Sequence, residues 1–242
     1  MDTLAALREA KRLGARVLSI VNVVGSTIAR ESDDVLYTWA GPEIAVATTK
    51  AFSTQLAVGY LIGLYCAEAL GTLDEAEYDR IVSELLLIPT KLEQILDNRA
   101  DIQYFASLYF NHPSIFFIGR NIDYAIGMEG SRKLKEISYI HSEAYAAGEL
   151  KHGPIALVDE GEPVVFIVPP QRGRNVLHAK VISGIEEVKA RGAYIIAVAE
   201  QGDPDVERYA DVVFWRPACP TLMSPLVDVV PLQLFAMDMA KL

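Results

Sequence analysis

The chain has 242 residues, 51% of them hydrophobic and 22% charged, with a formal net charge of −10. That length suits one large domain or two ordinary ones with a substantial core. The acidic balance excludes a nucleic-acid surface, which depends on clustered Lys and Arg, but leaves room for a small phosphorylated molecule held by local amides and hydroxyls.

No uninterrupted apolar run reaches the roughly 18 residues of a membrane span; the richest, Leu56 to Leu70, is broken by Gly59, Gly63 and Glu68. Met1 leads directly into DTLAALREAKR, so no signal peptide is expected. Cys66 and Cys219 stand far apart in no metal or redox spacing. They read as buried free thiols of a reducing compartment, the cytoplasm.

The first elements are an amphipathic helix, Thr3 to Leu13, stopped by Gly14, and a strand, Arg16 to Val23. The nearly continuous apolar run of that strand predicts cover on both faces. A turn follows at Asn22 to Ser26, then a short strand at Val35 to Thr38 and a long helix from Thr49 to Leu70. Residues 74–97 carry helical periodicity and form a helical connection, which Pro89 should kink or end.

A second block starts afresh with a strand at Ser114 to Ile118, a Gly-containing turn and a helix from Tyr124 to Ile140. A Gly-rich loop leads to a strand at Pro163 to Val168 and a helix at Val176 to Arg191. A strand at Ala193 to Ala199, a short strand at Asp211 to Trp215 and a helix from about Pro225 complete it. Strands alternating with helices predict an α/β fold with parallel sheets. The expected division is a first domain at 1–73, the connection at 74–97 and a second domain at 98–242. The first block lacks an opening strand, and the chain ends inside an apolar pattern at Lys241-Leu242. Both features predict a fragment with a truncated first domain.

Two segments carry candidate chemistry. In GRNIDYAIGMEGSRKLKEISYIHSEAYAAGELKHGPIALV a strand end turns into a helix, where open α/β sheets bind ligands. Glu129, Lys133 and Glu136 recur at helical spacing and share one face, either as a solvated ion-paired stripe or as a site. Beyond them, Gly148, Gly153 and Pro154 frame His152, an acid/base candidate. His112 precedes a proline, His178 lies in an ordinary helix pattern, and His141 falls at a helix end as a cap. No His or Cys pair has metal-ligand spacing. The other segment, AGPEIAVATTKAFSTQ, brings Thr48, Thr49, Ser53 and Thr54 to the start of a long helix. It is either an N-cap with a small-residue packing face or a place for a phosphate or sugar hydroxyl. Neither segment matches a Walker loop or a dinucleotide fingerprint.

DTLAALREAK, EIAVATTKAF and KLKEISYIHSEAYAAGELKHGPIALV resemble the isomerase part of the glucosamine-6-phosphate synthase family, the isomerizing glutamine–fructose-6-phosphate aminotransferases. The resemblance runs along essentially the whole chain. It implies two tandem flavodoxin-like sugar isomerase (SIS) domains of three layers with parallel sheets, and no cofactor or metal. It implies formation of glucosamine 6-phosphate from fructose 6-phosphate and glutamine-derived ammonia.

By position, Glu136 is the implied base shuttling a proton between C1 and C2. His152 helps open the sugar ring across a homodimer interface, and Lys133 and Glu129 line the same site. Val46, Ala47 and Thr48 form the sugar-contacting loop, with Thr48 where the family often has Ser. The family's Ser/Thr-rich phosphate loop would precede Asp2, of which only the flanking Thr3 remains. Its imine-forming lysine would follow Leu242, and its glutaminase domain lies outside this sequence. The 242-residue chain is therefore expected to be inactive or very weak alone. A non-catalytic sugar-phosphate sensor and a related sugar-amine deglycase or isomerase are the competing readings.

Overall fold

The computed structural model describes residues 2–172 and 176–242. The chain forms two compact units, Met1–Ile81 and Val82–Leu242.

In the first unit, helix α1 (Asp2–Arg12) is followed by strand β1 (Leu18–Val21), a short helix α2 (Thr27–Glu31), strand β2 (Asp34–Tyr37) and helix α3 (Lys50–Leu70). Strands β1 and β2 pair in parallel, Leu18 opposite Asp34 and Val21 opposite Tyr37. Helix α2 owes its start to Ser26, whose hydroxyl accepts from the Ala29 amide. β1 is shorter than its apolar run predicts, and full cover on both faces is not found: Leu18 is exposed and the remaining strand residues are half-buried. Cys66 on α3 is likewise exposed rather than buried, whereas Cys219 is buried.

Helix α4 (Glu75–Asp97) crosses the division between the units. It runs unbroken through Pro89 instead of ending there, with Ile88 and Ile95 buried on either side of the proline. Packing of that apolar side offsets the lost hydrogen bond.

The second unit adds helix α5 (Ala100–Tyr109), strand β3 (Ser114–Gly119), helix α6 (Ile122–Ser138), strand β4 (His141–Ala146) and strand β5 (Pro163–Ile167). Helix α7 (Val176–Lys189), strand β6 (Tyr194–Glu200), helix α8 (Pro204–Tyr209), strand β7 (Val212–Arg216) and helix α9 (Ser224–Met239) follow. The five strands are all parallel, in the order β4-β3-β5-β6-β7. That is the flavodoxin-like order, with its switch point between β3 and β5.

Side chains alternate across the sheet. Phe116, Ile118, Val164, Phe166, Ile195 and Ala197 meet Val181, Ile185 and Val188 of α7 on one face. Phe117 and Phe214 turn to the other, where α5, α6 and α9 pack. The unit is thus three layers deep.

Besides the short α2 of the first unit, three elements of the second unit depart from the sequence reading. α5 and α8 lack a strong apolar period, and α8 forms because Asp203 accepts from the Asp205 and Val206 amides. β4 replaces the expected loop: HSEAYA has no β-branched residue, yet it pairs with β3 from Ser114–His141 to Gly119–Ala146. His141 therefore opens a strand and caps nothing. α6 ends instead at Tyr139, held in the left-handed conformation at φ 63.

The segment Thr221–Met239 has the length and apolarity of a membrane span, which the search for uninterrupted runs missed because Asp228 and Asp238 interrupt it. Most of this segment is buried inside the fold, as befits a core helix.

Candidate active site

β3 delivers the chain to the start of α6 through a turn that tolerates no side chain. A Cβ at Gly119 would lie 2.5 Å from the Asp123 carbonyl atoms. α6 then lies close against its neighbours, because Gly130 lets Leu232 of α9 and Phe117 of β3 approach. A Cβ there would stand 2.7 Å from Leu232 Cδ1. This close approach buries charged residues of α6 along with apolar ones: Glu129 is 7% exposed and Lys133 2%.

Lys133 sits between two carboxylates of its own helix. Its Nζ donates to Glu136 Oε2 at 2.7 Å and lies 3.3 Å from Glu129 Oε1. A buried ammonium without a partner would cost several kcal/mol, and here two carboxylates offset that cost. Burial raises the Glu129 carboxyl above its ordinary pKa, with Lys133 pulling it back. The Glu136 side chain, unlike the other two, remains 37% exposed. The accessible carboxylate can take up a proton, and the fixed ammonium beside it can stabilise a developing oxyanion. The ion-paired stripe and the site are therefore the same three residues.

His152 is not brought to this cluster within one chain. Its Nδ1 pairs with Glu149 Oε2 at 2.9 Å, and both side chains are 70% exposed. α6 occupies one face of the sheet, while the segment carrying His152 is anchored by Leu150, Ile155 and Val158 in the core on the α7 face. Its loop turns past the carboxyl end of β4, where Ala147 donates to the Gly119 carbonyl. Glu136, by contrast, lies just before the amino end of β4.

The remaining predicted residues belong to the first unit. Thr3 is exposed in the first turn of α1. In the loop before α3, Val46 is fully exposed, Ala47 is buried and Thr48 is half-buried. The Thr49 amide donates to Glu43 Oε1 at 2.8 Å, and the Thr54 hydroxyl donates to carbonyls of its own helix. Those two groups are thus engaged within the chain, and of residues 46–48 only Val46 is fully open.

Sequence reasoning missed a buried charged cluster at the carboxyl edge of the second sheet. Arg216 at the end of β7 pairs with Asp228 of α9 and, at 3.3 Å, with Glu200 at the end of β6. Asp123 in the first turn of α6 is 2% exposed, and burial pushes its carboxyl up to about 7. Burial also pushes Asp228 up to about 6 and the Cys219 thiol up to about 11. The available signal was a charge inside an otherwise apolar pattern, as in SPLVDVV.

His178 is also more than an ordinary helix residue. It is 2% exposed, its Nε2 is 2.7 Å from Asp203 Oδ2, and its Nδ1 is 3.9 Å from Asp205 Oδ2. These three residues offer ligand atoms within 4.8 Å of one another, a grouping that linear spacing did not reveal. Asp203 already caps α8 with its other oxygen, so the cluster ties α7 to α8.

The SIS domain pattern matches residues 1–65 and 108–242. The chain belongs to the SIS domain family. It is 50% identical over 240 residues to the isomerizing glutamine–fructose-6-phosphate aminotransferase of Corynebacterium efficiens, and 53% identical over 239 residues to that of Caldanaerobacter subterraneus subsp. tengcongensis. These alignments cover 99% of the chain but only 38% and 39% of the two relatives. Its fold superposes with a TM-score of 0.91 on the C-terminal domain of glucosamine-fructose-6-phosphate aminotransferase from Francisella tularensis, at 36% identity. That match spans 99% of the chain and 67% of the solved domain. The likeness is thus to the C-terminal, SIS-bearing part of these aminotransferases.

Proposed function

We propose that the chain supplies the ketose–aldose isomerase step of a glutamine–fructose-6-phosphate aminotransferase, which makes glucosamine 6-phosphate from fructose 6-phosphate and glutamine-derived ammonia. The observation that carries this reading is the Glu129–Lys133–Glu136 cluster, with one accessible carboxylate held by a buried ammonium. Likeness to the aminotransferases along 99% of the chain supports it.

Glu136 takes a proton from C1 of the open sugar and returns it to C2, a transfer that one rigidly held carboxylate can make to adjacent carbons. Lys133 stabilises the charge that develops on the neighbouring oxygen. Val46, Ala47 and Thr48 contact the sugar, and Thr3 flanks its phosphate. The reading needs no metal or cofactor.

His152 opens the sugar ring from a second copy of the chain in a homodimer, in keeping with its separation from Glu136 within one subunit. We keep the division into two sugar isomerase domains with a helical connection at 74–97, and a cytoplasmic enzyme whose glutaminase domain lies outside these residues.

The test is conversion of fructose 6-phosphate to glucose 6-phosphate by the sequence extended to the length of its relatives, with the 242-residue chain beside it. The extended protein should turn over, and Glu136→Gln should lower its rate by about 10²–10⁴-fold. The 242-residue chain should show little or no turnover. Tight binding of fructose 6-phosphate without turnover in the extended protein would instead establish a sensor.

A further inference from the structure

Glu129 lies deeper than Lys133's other partner, and although its backbone stands roughly 10 Å along the helix from that of Glu136, the two carboxylates converge on one ammonium. Glu129 has no direct contact with the proton-transfer group. Its contact is with Lys133, which is 3% exposed by side chain and touches both carboxylates. We infer that Glu129 is a positioning residue: by sharing the Lys133 ammonium, it keeps the Glu136 carboxylate from being locked into a full ion pair. The inference rests on Glu136 being the proton-transfer group of the proposed function.

The physical reason is charge balance. With Glu129 ionised, the buried Glu129–Lys133 pair is neutral, and Glu136 carries the net negative charge on an accessible tip. With Glu129 neutral, the whole Lys133 charge falls on Glu136 at hydrogen-bond distance and stabilises its ionised form. Burial raises the Glu129 carboxyl while Lys133 opposes that rise, so the two effects meet at this residue.

The other charges near Glu129 are Arg132, which lowers its carboxyl, and Glu136, which raises it. Of the elements packed against α6, β3 and β5 carry no charged side chain. On β4, Glu143 faces His141 and Tyr145. On α9, Asp228 faces Arg216 and Asp238 faces Lys241.

The experiment follows the Glu136 carboxyl carbon by NMR during a pH titration of the 242-residue chain and of its Glu129→Gln and Glu129→Asp variants. Glu129→Gln keeps the shape and removes the charge, so the proton affinity of Glu136 should fall about tenfold. Glu129→Asp draws the charge back by one methylene and should give a smaller fall, about threefold.

The Glu129 and Glu136 oxygens that meet Lys133 Nζ stand at most about 6 Å apart, so a bare charge acting through water accounts for roughly threefold when it is removed and well under twofold when it is drawn back by one methylene. A change of about threefold or less in Glu129→Gln together with one of under twofold in Glu129→Asp overturns the inference and leaves Glu129 as packing. If Glu129→Gln does not fold, the Glu129→Asp titration decides alone. Titration requires no turnover, so its outcome is independent of the fructose 6-phosphate assay. Coupling of Glu129 to Glu136 through Lys133 in a protein that never isomerises the sugar would mean the proposed function had failed and the coupling had not.

Discussion

At the scale of single residues, the second unit places charge where an apolar side chain would be cheaper. Asp123 shows the consequence. Its carboxyl rises to about 7 from an ordinary 3.8, because burial disfavours the charged form and Asp228 repels it, with Arg216 only partly compensating. The folded state therefore holds this proton more tightly than the unfolded chain does. Its contribution to stability is present below about pH 4, is lost as pH rises from there to about 7, and is constant above. At 1.36 kcal/mol per pKa unit the loss amounts to about 4 kcal/mol at most. Asp123→Asn should remove this slope and be more stable than the parent at pH 8. Urea denaturation at pH 5 and pH 8 measures it, and parallel pH dependences in parent and variant would refute the assignment. Arg216 is the wrong residue for such a test, since its loss strands Asp228 without a partner in the core.

At the scale of elements, α6 and α9 carry the architecture because they approach closely. Gly130 is the contact that permits it. Alanine there would press on Leu232 Cδ1 at 2.7 Å and Phe117 Cε1 at 3.0 Å, both in the packed interior. The strain, on the order of 1–3 kcal/mol, outweighs the gain of under about 1 kcal/mol from replacing a helical glycine. Gly184 on α7 is the control, since a Cβ there meets only Phe166 Cε1 at an ordinary 3.8 Å. Gly130→Ala should lower the midpoint of thermal unfolding, whereas Gly184→Ala should leave it unchanged or raise it. Equal behaviour of the two would mean that α6 and α9 can yield at no cost.

Most helices and strands were legible at this scale because their period matches their burial. β3, β5 and β6 are continuous apolar runs covered on both faces. β4 was not legible. Its pairing depends on β3 alone, and its mixed composition has no period-two pattern. The passage of α4 through Pro89 was hidden for a related reason, since local preference predicts a break and only packing of Ile88 and Ile95 opposes it.

At the scale of the whole molecule, the two units differ in how well their apolar residues are covered. The second has strands whose core residues reach 0% exposure, as at Val164, Val165 and Ile195. The first leaves Trp39 77%, Ile44 96% and Tyr65 71% exposed. Hydrogen exchange should accordingly protect β3, β5 and β6 far longer than β1 and β2, and equal protection would contradict the difference in cover.

The proposed trans arrangement makes a second prediction at this scale. In the extended protein, mixing inactive Glu136→Gln and His152→Ala chains should restore about a quarter of the parental activity. Half of a random mixture is heterodimer, and each heterodimer has one intact site of two. No recovery after subunit exchange would show that each chain uses its own His152.

The sequence by itself determined the α/β class, the tandem blocks, and the grouping of Glu129, Lys133 and Glu136, because helical and strand periodicity are local properties of the chain. It also carried the family likeness, through contiguous motifs. Only the tertiary structure decided that Lys133 is buried between its partners, that Glu136 alone of the three stays accessible, and that His152 lies on the other face of the sheet. It likewise assembled Arg216 with Asp228 and Glu200, and His178 with Asp203. Those are contacts between residues distant in the chain, set by which layers pack and how closely, and no local pattern encodes them.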